Sequence, residues 1–291
     1  MEFLTPTSMD EALEAKASHP DAKPIMGGTD VMVELNFAQS RPALLLDLTR
    51  VPELSDWGRD SGSIKLGAGV TYARVITELG RALPGLAMAS RTVGSPQIRN
   101  RGTVGGNLGA ASPAGDAHPA LLAADAEVEL SSVVGVRRLP AADFYIGVKQ
   151  HAGRDDELIT AVYITPPTGP QQFCKIGTRN AMVISVSAFS LALHPDRLQV
   201  RTGIGSAAPT PRRAVDAENF LAEALDADGL WDSRGALPAS LAHHFGDLVA
   251  AAASPIDDVR GTAAYRRHSL SVMARRSLHW AWSDYSSARM G

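Results

Sequence analysis

Apolar and polar positions along the 291-residue chain divide it into short alternating elements. Ser8-Met9-Asp10-Glu11 has the S-x-x-E form of a capping box. Ala12, Leu13 and Ala15 follow, so a short helix is predicted before His19-Pro20. Lys23-Pro24-Ile25-Met26 is a short apolar run that stops at Gly27-Gly28, the pattern of a strand entering a tight turn. Val31 to Phe37 predicts a second short helix, and Leu44 to Leu48 a buried strand. Ser63 to Gly69 alternates as a strand, and Thr71 opens a helix that runs to about Leu79. A further helix, rich in Ala and Leu, is expected between Pro113 and Ala123. Val128 to Val133 alternates at period two and pairs with Val136 to Leu139 through Gly135; Leu158 to Ile164 is another strand.

Thr165 to Gln171, rich in Pro and Gly, predicts a linker between two domains. Beyond it, Ser185 to His194 and Leu198 to Ile204 predict a small sheet, and the Ala-rich stretch from Ala214 to Ala253 predicts helices. Residues from about 278 onward read as a tail.

Composition narrows the function classes. A net charge of −3 without a basic stripe argues against a nucleic-acid partner. No apolar run approaches the roughly eighteen residues of a transmembrane helix, and the first residues lack the pattern of a signal peptide. The chain therefore reads as cytoplasmic. Its single cysteine, Cys174, reads as a small buried side chain. Without a CxxC pair there is no zinc or iron–sulfur site in this chain, so redox chemistry would need an organic cofactor or a metal on another chain.

The candidate chemistry lies in glycine-rich segments. Gly67-Ala68-Gly69-Val70-Thr71-Tyr72-Ala73 has the outline of a dinucleotide-binding turn. It lacks the third glycine and the acid about twenty residues on, so it is read as a turn that needs small residues. Gly27-Gly28-Thr29-Asp30 can expose successive backbone N–H groups to an anion. Thr103-Val104-Gly105-Gly106-Asn107 repeats that logic. In isolation Asp116 reads as the N-cap of the following helix. Two glycine-pair loops converging on one diphosphate would explain a dinucleotide site that has no Rossmann turn.

Taken in order, several segments carry a resemblance. They are Lys23 to Asp30, Leu66 to Gly69, Gln97 to Asn107, Ala111-Ser112-Pro113 with Asp116, Phe173-Cys174-Lys175 and Ala207 to Pro211. Over Phe3 to about Ser277 the chain resembles the FAD-binding medium subunits of the molybdenum hydroxylases, the family of xanthine dehydrogenase and carbon monoxide dehydrogenase. The resemblance implies an α+β fold. Residues 1–168 would form a p-cresol-methylhydroxylase-type FAD-binding domain of two subdomains. Residues 169–277 would form a flavoprotein C-terminal domain, a small antiparallel sheet with helices, and 278–291 a tail.

By positional match, Lys23, Pro24, Ile25, Met26, Gly27, Gly28, Thr29 and Asp30 would wrap the pyrophosphate and ribityl region. Gly102, Thr103, Val104, Gly105, Gly106 and Asn107 would form the second loop. Asp116 would bind the adenosine ribose, Leu158 would pack near the cofactor, Lys175 would approach the isoalloxazine and Ile184 would lie over it. Val93 is carried over as a cofactor contact. One departure stands out: relatives often carry an acid where this chain has Val183.

The resemblance further implies [2Fe–2S] and molybdopterin centres on a small and a large partner chain, assembled as a dimer of heterotrimers. Electrons would pass through FAD to NAD+ or another acceptor, with a lean toward purine oxidation. Two other readings stay open. One is a stand-alone flavoenzyme, which would usually show a catalytic base or a covalent-flavin histidine; His118 lies close to the second loop but reads as a surface or helix-start residue. The other is a scaffold that has lost FAD, which the intact glycine pairs oppose.

Overall fold

A computed structural model describes residues 1–37 and 41–288. The N-terminal part holds β1 (Glu2–Leu4), β2 (Lys23–Ile25) and β3 (Leu44–Asp47), paired in parallel in the order β1-β3-β2. The helix Met9–Ser18 makes the crossover that parallel strands require. Its capping box is shared out. Ser8 Oγ accepts from Glu11 N, while the Glu11 carboxylate reaches past Ser8 to Thr7 N at 2.7 Å. Those Thr7 hydrogen bonds hold the Glu11 carboxyl below its usual range.

The next subdomain is one antiparallel sheet. Its strands are β4 (Trp57–Asp60), β5 (Ser63–Gly67), β6 (Glu127–Ser132), β7 (Gly135–Pro140) and, after the short pair β8 (Tyr145–Gly147) and β9 (Gln150–His151), β10 (Leu158–Ile164). Their order is β4-β5-β10-β6-β7. The helices Tyr72–Glu78, Pro84–Thr92, Val104–Ala110 and Ala117–Ala123 contribute to a core built around Leu66, Val75, Leu108, Leu121 and Val162. A smaller core of Ala12, Leu46, Leu54, Ala68 and Leu158 seals the seam to the first subdomain.

The C-terminal domain is the antiparallel sheet β11 (Gln171–Ile176), β12 (Ser187–His194) and β13 (Gln199–Gly205), with β12 central. Every residue of β12 is buried. Helices of this domain cover one face, and Ala117–Ala123 of the preceding subdomain lies against the sheet as well. A strand covered on both faces loses the alternation of a half-exposed one. At Gly203 a Cβ would stand 2.1 Å from the Pro119 carbonyl oxygen, so the absence of a side chain lets the helix approach the sheet.

The expected tail from 278 is not a tail. The helix Ala263–Ser287 continues through it, and Leu278, Ala281, Trp282 and Tyr285 are buried in the domain core. Residues 289–291 lie outside the described residues. Among the described residues no helix is long and apolar enough to cross a membrane, and no group of side chains could hold a metal ion.

Candidate functional site

The first loop leaves β2 at Ile25. Gly28 adopts φ 73°, the left-handed region that favours glycine. Gly27 answers a different demand: a Cβ there would lie 2.0 Å from the carbonyl oxygen of Arg101 and 3.1 Å from Gly102 N. The first loop is therefore in backbone contact with the start of the second. Among the described residues the N–H groups of Gly27, Gly28 and Thr29 donate to no protein acceptor. Lys23 is held by Glu34, which also accepts from Lys149 at 3.2 Å. The Lys23 hydrogen bond keeps the Glu34 carboxyl below its ordinary value.

The second segment differs from the expected loop. Gly105 and Gly106 lie in the first turn of the helix Val104–Ala110, and neither has a left-handed backbone. Thr103 is the N-cap: its Oγ accepts from Gly106 N at 2.9 Å. Gly105 is small because of its neighbour, since a Cβ would stand 2.4 Å from the Ala68 Cβ. Gly105 N also donates to the Ala68 carbonyl at 3.0 Å, and Tyr72 N donates to that of Gly102. The Gly67-Ala68-Gly69 turn is thus the floor on which the second segment rests, in keeping with its reading as a turn of small residues.

Asp116 and Lys175 come from different domains and meet. Lys175 Nζ lies 2.5 Å from Asp116 Oδ2, with both side chains nearly buried, and Thr92 Oγ donates to the same oxygen at 3.0 Å. Burial pushes the Asp116 carboxyl above its usual range, and the Lys175 ammonium pulls against that. Asp116 stands at the N-cap position of the helix Ala117–Ala123, as read in isolation, but its side chain makes no capping bond. The resemblance placed Asp116 at the adenosine ribose and Lys175 at the isoalloxazine, far apart on an extended FAD. The structure pairs the two side chains directly.

The remaining predicted residues separate. Val93 ends the helix Pro84–Thr92, and its carbonyl accepts from Arg99 Nη1 at 3.0 Å. Leu158 is 2% exposed and belongs to the seam core. Ile184 is 56% exposed, at the end of the β11–β12 connection. Val183 folds back toward Gly177. Arg179 ties that connection by donating to the carbonyls of Ala181 and Met182. Between Thr92–Arg99 and this connection opens a cleft of about 410 Å³. Arg91, Arg99, Lys175 and Arg179 line it, and its described lining residues include no carboxylate, which suits an anion.

Cys174 is half-buried, 3.1 Å from Ser277 Oγ, and burial pushes its thiol up. His118 is fully buried in the first helical turn, not at the surface. Sequence reasoning missed Thr92, Arg99 and Tyr72. Their only signal was proximity to the glycine segments.

Several polar groups here lack partners. Asn107 Oδ1, Asp116 Oδ1 and Tyr72 Oη are buried without a hydrogen bond. Buried polar atoms are normally satisfied. Together with the open N–H groups of the first loop, they mark a site shaped for a polar, hydroxyl- and phosphate-bearing ligand, and FAD fits that donor and acceptor set. Fold and site define a flavoprotein of the p-cresol-methylhydroxylase type.

The chain belongs to the FAD-binding family of the molybdopterin dehydrogenases. Residues 1–167 match the family described as the FAD binding domain in molybdopterin dehydrogenase, and residues 174–281 match the CO dehydrogenase flavoprotein C-terminal domain. The chain is 29% identical over 287 residues to the nicotine 6-hydroxylase medium subunit of Paenarthrobacter nicotinovorans, covering 95% of each chain. It is 31% identical over 221 residues to the putative xanthine dehydrogenase FAD-binding subunit of Escherichia coli, covering 72% of this chain and 75% of that one. Among solved structures, a chain of the Cu,Mo-CO dehydrogenase matches at a TM-score of 0.88 and 26% identity, covering 98% of both.

Proposed function

We propose that this chain is the electron-transfer subunit of a multi-chain molybdenum hydroxylase, taking electrons from [2Fe–2S] clusters on a small partner and passing them to an acceptor outside the complex. When bound, FAD supplies the ability to join one-electron and two-electron steps. The chain's own residues hold and shield it. The N–H groups of Gly27, Gly28 and Thr29 would hold the diphosphate, each charge-assisted contact being worth about 1.5–3 kcal/mol. Thr103, its Oγ already accepting from Gly106 N, keeps a hydroxyl proton free to donate to the same group. The Asp116 carboxylate, balanced by Lys175, has one free oxygen for a ligand hydroxyl.

The observation that carries this reading is the set of unpartnered polar groups beside two loops in backbone contact. The absence of cysteine motifs supports placing the iron–sulfur and molybdopterin centres on separate small and large chains, in a dimer of heterotrimers. The basic cleft beside Lys175 supports an anionic acceptor such as NAD+. For the substrate of the complex, purine is the first to assay, on the segments Pro96 to Asn100 and Ala208 to Pro211. The named relatives span nicotine, xanthine and carbon monoxide, so the assay runs across all three. The test is purification of the chain with its native partners. A yellow protein releasing FAD on denaturation, together with an iron–sulfur and a molybdopterin chain, is expected. A colourless chain that takes up no added FAD refutes the reading, and a single chain turning over a substrate alone favours a stand-alone flavoenzyme.

A further inference from the structure

The segment Ser112–Asp116 carries the carboxylate of the site, and each carbonyl before Asp116 is engaged. Ser112 O accepts from Gly115 N at 2.9 Å, Pro113 O from Ser206 N at 2.8 Å, Ala114 O from Ser185 Oγ at 3.5 Å and Gly115 O from His118 N at 3.3 Å. Two of these donors belong to the C-terminal domain. The inner side of the turn is walled by one imidazole. A Cβ on Gly115 would stand 2.2 Å from His118 Nε2 and 2.9 Å from Asn107 Nδ2.

His118 is itself fixed. Tyr145 Oη lies 2.7 Å from Nδ1, and the two rings meet edge-on with centroids 4.8 Å apart. Burial holds the imidazole neutral, pushed down to about 3, against an opposing pull from the Ser112 carbonyl. With the Tyr145 hydroxyl as donor to Nδ1, the ring proton would sit on Nε2. Nε2 is nonetheless buried without a completed hydrogen bond. An unpaired buried nitrogen is unfavourable, and a leucine would fill the helix face without it. The flat ring does what a branched side chain cannot: it fits beneath Gly115 while directing an N–H at the turn.

We propose that His118, held by Tyr145, is a positioning residue that sets the Ser112–Gly115 turn and thereby aims Asp116 into the cofactor cleft. The inference rests on the FAD reading above. Its consequence is that His118 acts on the cofactor through Asp116, although it stands behind the turn rather than in the cleft.

The test is a double-mutant cycle on the full chain: wild type, His118→Leu, Asp116→Asn and the double variant. The readouts are the FAD dissociation constant, the reduction potential of the bound flavin and the melting temperature. His118→Leu is expected to weaken FAD binding about tenfold and shift the potential; in the Asp116→Asn background the same change should move affinity less than about twofold. His118→Gln, which restores an N–H near the Nε2 position, should recover most of the affinity. Should His118→Leu fail to fold, Tyr145→Phe takes its place in the cycle. Equal losses in both backgrounds, or unchanged affinity in the single variant, overturn the inference alone. A wild-type chain that takes up no FAD overturns the reading beneath it.

Discussion

Gly27 and Gly28 are adjacent, and the structure predicts different outcomes when each becomes alanine. At Gly27 the added methyl would sit 2.0 Å from Arg101 O and 2.6 Å from its carbonyl carbon. Ordinary C···O contacts are about 3.3 Å or longer, so the two loops must part by about an ångström. The obstructing atoms are backbone, and no rotamer change relieves them. A shift of that size lengthens the N–H contacts to a diphosphate past useful range. Losing one charge-assisted contact of about 1.5–3 kcal/mol converts, at 1.4 kcal/mol per decade, to FAD binding weaker by roughly 10- to 150-fold. At Gly28 the nearest atoms to an added methyl are 3.6 Å away. The substitution there meets only the left-handed backbone at φ 73°, a penalty of about 1–2 kcal/mol that falls largely on folding. The assay is FAD titration of each deflavinated variant by flavin fluorescence, with thermal melting to confirm the fold. Gly27→Ala binding within twofold of wild type, or Gly28→Ala weakening FAD more than Gly27→Ala, would refute the reasoning.

Gly105→Val should lose FAD and melt lower, since its Cβ would meet Ala68 at 2.4 Å; normal flavin occupancy would remove the second segment from the site. Lys175→Met strands a nearly buried carboxylate and should cost about 3–5 kcal/mol. The folded Asp116 pKa is already raised by burial and should rise further without the ammonium. Stability in that variant should therefore be fullest below the unfolded Asp value of about 4 and fall as pH rises through the folded pKa, and a flat pH–melting profile would contradict this. Truncation after residue 277 removes buried Leu278, Trp282 and Tyr285. At about 1.5–3 kcal/mol for each large side chain this approaches the whole stability of a typical domain, of order 5–15 kcal/mol. Retention of the wild-type melting temperature would restore the tail.

Much of the frame was legible because it is local. The strand and turn at Lys23–Gly28, the hairpin of β6 and β7 and the capped helix Met9–Ser18 all rest on short-range chemistry. What escaped is set by tertiary contact. Gly105-Gly106 is poor helix sequence, yet the Thr103 cap and the Ala68 carbonyl hold it in a helical turn. Helix Pro84–Thr92 goes unread because its packing, including the bond from Gly85 N to the Gln171 side chain, involves a strand 86 residues away. The last turns of Ala263–Ser287 resemble a polar end until Trp231 is placed against Trp282 and Tyr285. In the site, the glycine pairs were visible, but the reason for each glycine was not. Asp116 and Lys175 were each found by position, while their meeting across 59 residues lies in no local pattern.

That meeting bears on how the holoprotein assembles. Asp116 belongs to the FAD-side domain and Lys175 to the first strand of the other, so the ion pair is finished only when the two bodies dock. A ligand that touches both must tighten their association by the same factor by which their association tightens the ligand. On the proposed reading, flavin uptake would then act as a fastening step between the two domains.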